Sequence, residues 1–292
     1  MSQKILITGT NSGFGRLSAI ALARKGHTVF ATMRDLAGRN RPAAEEMLRF
    51  AQNEGLKLHV VEMELTNDAS VESALKGVLA RAESLDVVVN NAGYSVMGLE
   101  ETLTSAQLLE QFDVNVVGPH RVLRAVLPSL RAQRKGYLIH VSSELGRMVF
   151  PVMGAYCASK AALESLADAY SYELKPLGIE STIVQPGAFP TEFASRANLG
   201  KEQERAQGYG PMANALEQMG AALQHMLKGP GAQDPQDVAE ALVQLVESAP
   251  GSRPERLVVD KLSPQGAQAL NAAHREVQKG LLGALGMGGL IG

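Results

Sequence analysis

Tyr156 and Lys160 stand four positions apart in the run Ala155-Tyr156-Cys157-Ala158-Ser159-Lys160. On a helix that spacing puts both side chains on one face, one turn apart. An ammonium near a phenol favours the phenolate and depresses the tyrosine pKa from its free value of about 10. Closing the gap to neutrality takes roughly 4 kcal/mol, within reach of a close lysine and a bound cationic cofactor acting together. A tyrosine poised in this way gives a proton to a carbonyl oxygen or takes one from an alcohol. Ordinary helix surfaces also carry this spacing by chance, so its meaning depends on the elements around it.

A second constellation opens the chain. The first apolar run ends in Thr8-Gly9-Thr10-Asn11-Ser12-Gly13-Phe14-Gly15 and passes straight into a helical pattern. Glycines let backbone N–H groups approach a pyrophosphate closely, and the helix N-terminus behind them adds positive dipole. An ordinary glycine-rich turn is the plainer reading. The placement between a strand and a helix favours a nucleotide cradle.

Short β-branched runs alternate with helical stretches. Lys4–Thr8, His27–Met33, Leu58–Glu64, Leu85–Asn90, Tyr137–Ser142, Ser181–Gln185 and Arg256–Val259 read as strands. Their continuous apolar character, as in Val87-Val88-Val89, suits a sheet covered on both faces. Helices are expected over Gly15–Lys25, Pro42–Asn53, Ser70–Glu83, Ala106–Gln133, Ala155–Leu174 and Pro235–Glu247. Strict β-α-β alternation implies right-handed crossovers and an α/β fold with a doubly wound parallel sheet. No repeat or low-complexity linker divides the chain, so residues 1–292 read as one domain. Residues 192–231 are helix-prone, rich in Ala, Gln and Met, and follow a strand end, where open α/β sheets bind ligands. They are expected to form an inserted helical lid over the substrate. Residues 262–292 form a C-terminal extension, and its end, Leu281 to Ile291, broken by glycines, is expected to be a flexible tail.

The bulk numbers narrow the classes of partner. Lys and Arg number 28 against 30 Asp and Glu, a net charge of −2, so nothing argues for nucleic acid. A single cysteine, Cys157, excludes an internal disulfide framework and a cysteine-rich metal site, and no metal is expected. The apolar end is too short to span a bilayer. Met1-Ser2-Gln3-Lys4 shows no signal-peptide pattern, and a cytoplasmic protein is expected.

The blocks together resemble the short-chain dehydrogenase/reductase family, over about residues 4–260. They run in order: Thr-Gly-x-x-x-Gly-x-Gly at Thr8–Gly15, Asn90-Asn91-Ala92-Gly93, Asp113-Val114-Asn115-Val116-Val117-Gly118, Ser142-Ser143, Tyr156 with Lys160, and Pro186-Gly187 with Thr191. The strings around Asn115 and Tyr156 look most like the 17β-hydroxysteroid and retinol dehydrogenase branch. The resemblance implies a Rossmann-type fold and NAD(P)-dependent hydride transfer. It makes Tyr156 the acid/base, Lys160 its partner and nicotinamide-ribose ligand, Ser143 the carbonyl-polarising serine with Ser142 competing, and Asn115 the holder of a proton-relay water. Gly118-Pro119 beyond Asn115 suggests a local helix irregularity.

Cofactor contacts are implied for Gly9, Asn11, Ser12, Gly13, Phe14, Gly15, Arg34, Glu64, Leu65, Asn91, Ala92, Gly93, Tyr156, Lys160, Pro186, Gly187 and Thr191. Glu64 stands where an aspartate commonly receives the adenine amino group. His140, close to Ser143, has no counterpart and reads as a packed strand residue. NAD-specific members place an acid at the end of the second strand. Here that place falls on Met33, followed by Arg34, so NADP(H) is expected as the preferred cofactor and NAD(H) as the second choice. Asp35, one residue on, would reverse this if the register slipped.

The expected substrate is a small hydrophobic ketone, aldehyde or secondary alcohol facing Tyr94, Met97, Met153, Phe189 and Phe193, together with Val96, Met148 and Phe150. Glu144 and Arg147 are the polar exceptions. The family inference adds a homodimer or homotetramer built on the helices at Ala106–Gln133 and Ala155–Leu174, with Leu163 and Leu166 packing across it. Three alternatives remain: an NAD-dependent alcohol dehydrogenase of the same family, a non-catalytic dinucleotide-sensing regulator, and a lyase or isomerase that uses the cofactor transiently.

Overall fold

The central strands carry long apolar runs because both faces of the sheet are covered. Ile5, Ile7, Val29, Ala31, Val87, Val89 and Ile139 enter one core, while Leu6, Phe30, Val88 and Leu138 enter the other. This is the period-two alternation of a strand, with both faces dry. Each fully buried aliphatic side chain contributes about 1.5–3 kcal/mol of transfer free energy.

The computed structural model describes residues 2–229 and 231–291. Met1, Pro230 of the expected lid and Gly292 of the extension lie outside them. In chain order the elements are β1 (Lys4–Ile7), α1 (Gly13–Arg24), β2 (Thr28–Met33), α2 (Arg41–Asn53), β3 (Leu58–Glu62), α3 (Asp68–Ala82), β4 (Val87–Asn90), β5 (Val96–Met97), α4 (Ser105–Phe112), α5 (Gly118–Gln133), β6 (Gly136–Val141), α6 (Gly154–Leu174), β7 (Ile179–Pro186), α7 (Glu192–Ser195), β8 (Asn198–Leu199), α8 (Ala215–Lys228), α9 (Gln236–Glu247), β9 (Arg256–Val259) and α10 (Gln265–Ala284). Seven strands form one parallel sheet in the order β3-β2-β1-β4-β6-β7-β9, and β5 pairs with β8 beside it. Residues of α1, α2 and α9 fill the first core, and residues of α3 and α5 the second. Strand order reverses between β1 and β4, so a crevice opens at the carboxyl ends of those strands.

Two expectations change. The helix expected over Ala106–Gln133 carries the irregularity that Gly118-Pro119 suggested, but as a π-helical turn at Asp113–Val117 that divides it, with Gly118 N–H donating to Asp113 O. The π turn inserts a residue and holds Asn115 fully buried. The tail expected to be flexible is instead largely ordered. Helix α10 runs to Ala284, Gly286 at φ +72 ends it, and Leu282 and Ile291 are buried. At the start of the helix a Cβ on Gly266 would stand 3.2 Å from Met148 Sδ, so glycine allows close packing there.

The lid segment contributes α7, β8, a 3-10 stretch at Gln203–Asn214 and α8, and its root is tied down. Gln107 Nε2 donates to Leu199 O (2.8 Å), and Gln107 Oε1 accepts from Lys201 N (3.0 Å). Among the described residues no helix is long and apolar enough to cross a membrane, and no acidic, His or Cys cluster could hold a metal.

Candidate active site

The cradle is shaped by contacts only glycine permits. Gly9 sits at φ +70, and a Cβ there would lie 2.7 Å from Ala92 Cα. A Cβ on Gly15 would fall 2.3 Å from Gly9 O and 2.4 Å from Asn91 Nδ2. Gly13, at φ +55, adopts a backbone conformation that favours glycine, and the nearest group to a Cβ there would be Thr191 Cβ, at an ordinary contact distance of 3.8 Å. Asn91 braces the loop from the neighbouring strand, its Nδ2 donating to Thr8 O (2.9 Å) and Gly9 O (3.0 Å). Thr8 Oγ1 accepts from Asn91 N and Ala92 N. Ser12 caps α1 without its side chain and no acid occupies the first turn, so no side chain of that turn offsets the positive end of the helix. These residues fit a dinucleotide pyrophosphate. Asn91 and Ala92 shape the loop, and Phe14 stacks edge-on against Phe189 at 5.4 Å between ring centroids. Phe189 thus packs on the cradle.

The catalytic candidates converge beside Gly93. A Cβ on Gly93 would stand 3.2 Å from Asn115 Oδ1 and 3.6 Å from Lys160 Nζ, so glycine is what lets the two groups approach. Asn115 Oδ1 accepts from Tyr94 N (3.1 Å), and its Nδ2 donates to Tyr94 O and to Ser159 Oγ (both 3.0 Å). Lys160 Nζ donates to Val141 O (2.9 Å) and lies 5.8 Å from the Tyr156 ring centroid. The two serines separate cleanly. Ser142 Oγ donates to Glu164 Oε1 (2.8 Å), while Ser143 accepts from Leu145 N (3.1 Å) and lies close enough to Tyr156 to favour its phenolate.

Burial governs the electrostatics. It raises the Tyr156 phenol above its ordinary value, with neighbouring Ser143 opposing. The depression expected from Lys160 does not dominate, because the ammonium is turned to a backbone carbonyl. Burial lowers Lys160 to about 8, against the pull of Glu164. His140 is buried and lowered to about 4 by burial and then by Lys160, which makes it a neutral strand residue 3.5 Å from Asn90 Nδ2.

At the adenosine end, Met33 is directed into the core rather than toward the crevice. Arg34 is the first exposed position after β2, and its Nη1 lies 3.6 Å from Glu64 Oε2. Glu64 Oε1 accepts from Thr66 N and Oγ1. Leu65 is buried beside Gly118, where a Cβ would approach its own Cβ to 3.0 Å. Asp35, at φ +50, folds its carboxylate back to accept from Arg39 N (2.7 Å). On the other side, Pro186 ends β7, and a Cβ on Gly187 would stand 2.6 Å from Asp260 Cγ.

The expected substrate residues scatter. Phe193 stacks over Tyr156, ring centroids 5.4 Å apart. Tyr94 is held by Asn115 and by Gln111 Nε2, which donates to Tyr94 O (2.5 Å), and burial raises its phenol to about 12. Val96 and Met97 form β5, and Met153 caps α6. Phe150 is exposed and Met148 packs on α10. Glu144 is buried; burial and then neighbouring Asp260 raise its carboxyl to about 7. Arg147 turns its Nε to Glu164 Oε2 (3.0 Å) and Asn271 Oδ1 (3.2 Å).

Sequence reasoning misses the group behind the serines. Glu164 Oε1 also accepts from Gln185 Nε2 (2.9 Å), its Oε2 lies 3.5 Å from Arg256 Nε, and Asn271 Nδ2 on α10 donates to Gln185 Oε1 (2.6 Å). Its one sequence signal is Glu164, one turn beyond Lys160 on the same helix.

The family model of short chain dehydrogenases matches residues 3–202. A 3-ketodihydrosphingosine reductase of Bacteroides thetaiotaomicron is 34% identical over 207 residues, 71% of each chain. Retinol dehydrogenase 8 of Bos taurus is 34% identical over 254 residues, 84% of this chain and 78% of that one. Among solved structures, an alcohol dehydrogenase from Thermococcus sibiricus complexed with 5-hydroxy-NADP is 27% identical with a TM-score of 0.71, covering 90% of this chain and 97% of that one. With this fold, this cradle and these matches, the chain belongs to the short-chain dehydrogenase family of NAD(P)-dependent oxidoreductases.

Proposed function

We propose that the enzyme interconverts a hydrophobic ketone or aldehyde and its alcohol, with NADP(H) preferred over NAD(H). The observation that carries the reaction is the buried Tyr156 with Ser143 beside its hydroxyl, Lys160 Nζ 5.8 Å from its ring centroid, and Lys160 and Asn115 both flanking Gly93. When bound, the nicotinamide supplies or accepts the hydride at the substrate carbon. Ser143 and Tyr156 hold the substrate oxygen, and a donor aimed at that oxygen stabilises the charge that develops on it. Tyr156 transfers the proton, and Lys160 and Asn115 connect it to solvent. Phe193 covers Tyr156 and excludes water. Phe193, Tyr94, Met97 and Met153 favour an apolar substrate, as does similarity to a retinol dehydrogenase and a 3-ketodihydrosphingosine reductase.

The cofactor preference rests on Arg34 and Asp35. An exposed guanidinium, held by a 3.6 Å pair with Glu64, stands at the end of β2 for a 2′-phosphate, and the nearest carboxylate on that loop is occupied by Arg39 N. We read residues 192–231 as the substrate lid and the assembly as a homodimer or homotetramer. Leu108, Leu109 and Leu166 are the exposed apolar residues of α4 and α6 available to it, whereas Leu163 is buried within the chain.

The test is a screen of ketones and aldehydes with NADPH and NADH side by side, using Tyr156→Phe as control. Loss of the general acid should cut kcat by about 10³-fold with cofactor binding retained. Near-native turnover by the variant would refute the assignment.

A further inference from the structure

Helix α7 is a single turn, yet it bridges the two halves of the site. Its Phe193 lies over Tyr156. Arg196, just past its end, reaches the phosphate cradle: Nη1 donates to Ser12 Oγ at 3.2 Å, and Nη2 pairs with Glu192 Oε2 at 2.6 Å. Thr191, just before the helix, also touches the cradle, with Cβ and Cγ2 3.8 and 4.0 Å from the position a Gly13 Cβ would take. The lid root therefore meets the glycine loop on both sides of α7.

A dinucleotide pyrophosphate brings two negative charges to this loop. The helix N-terminus and backbone N–H groups are dipolar donors, not full charges. Arg16 on α1 is already paired with Glu46 at 2.7 Å. Arg196 has five N–H donors in a planar fork, of which two serve Ser12 and Glu192, and its side chain is 44% exposed. It thus reaches the cradle with donors left over.

We propose that Arg196 is a cofactor-binding residue, a lid-borne guanidinium that pairs with the pyrophosphate at Ser12. Because Phe193 rides on the same helical turn, pyrophosphate occupancy holds that ring over Tyr156, so cofactor binding and closure of the catalytic side are one event. This rests on dinucleotide binding by the glycine loop and deepens the proposed function. It does not depend on which cofactor is preferred, since NADP(H) and NAD(H) share the pyrophosphate.

Equilibrium titration of wild type, Arg196→Ala and Arg196→Lys with NADPH and with NADH, at low and high salt, tests it. Arg196→Ala should weaken both cofactors equally, by about tenfold at low salt, as expected for one charge-assisted hydrogen bond on a partly exposed partner. The difference should shrink at high salt, where an exposed charge is screened. Arg196→Lys should recover part of the loss. With either cofactor saturating, trypsin cleavage in the lid should slow in wild type and stay fast in Arg196→Ala. Unchanged affinities, or a loss confined to NADPH, would overturn the proposal, the latter by placing Arg196 at the 2′-phosphate. Better binding of NADH than NADPH by wild type would defeat the NADP(H) preference alone and leave this assignment standing.

Discussion

Glu164→Ala should be the most damaging single change outside the groups that meet substrate or cofactor. The carboxylate is 2% exposed, accepts from Ser142 Oγ and Gln185 Nε2, and pairs with two guanidiniums, Arg147 Nε at 3.0 Å and Arg256 Nε at 3.5 Å. Removing one partner of a buried ion pair costs about 3–5 kcal/mol, because the opposite charge stays buried without compensation. Here two guanidiniums are left, but each keeps a second partner: Asn271 for Arg147, and Asp168, 2.5 Å away, for Arg256. That places the loss near the lower end, about 3 kcal/mol, equivalent to roughly 6–12 °C in Tm for a domain of this size. Urea denaturation followed by circular dichroism measures it. Glu164→Gln, which keeps an acceptor for Ser142, should lose less. Ser142 precedes Ser143 in the chain, so Glu164→Ala should also lower kcat more than it raises KM. A Glu164→Ala protein within about 0.5 kcal/mol of wild type would refute the reasoning, since that is the range of an ordinary surface substitution.

Arg34→Ala should raise KM for NADPH about tenfold and leave NADH within a factor of two to three, the loss of a charge-assisted contact to a 2′-phosphate. Steady-state kinetics with both cofactors checks this, and equal or better use of NADH by wild type would sink the preference. Glu144 titrates near 7 in the fold against an ordinary 4.5. Its native form therefore holds a proton that the unfolded chain has released, so this group makes stability fall as pH rises from about 4.5 to 7. Glu144→Gln, a permanent mimic of the protonated acid, should remove about 1–3 kcal/mol of that pH dependence, read from melting curves across the window. A variant whose melting temperature follows pH just as wild type does would contradict the assignment.

Much of this enzyme was legible in its residue order. The strands announce themselves as continuous apolar runs because both faces of a parallel sheet are dry. The glycine block is legible because Gly9, Gly13 and Gly15 answer local backbone demands, positive φ or close approach, that no other residue meets. Tyr156 and Lys160 are legible because helical spacing is a local property.

What the order of residues could not decide depends on groups brought together from distant segments. Ser142 and Ser143 are equivalent as letters, and Glu164 separates them by taking one. Met33 and Asp35 acquire their meaning from where the backbone turns at the end of β2, into the core for one and back onto Arg39 for the other. Leu281 to Ile291 reads as a glycine-broken tail until α10, anchored by Asn271 on Gln185 and Arg147, extends to Ala284 and buries Leu282 and Ile291. Arg196 is one arginine among many until the lid root folds it onto Ser12. Local propensity fixes elements, but a side chain's partner is set by desolvation and distance, which exist only once the chain has folded.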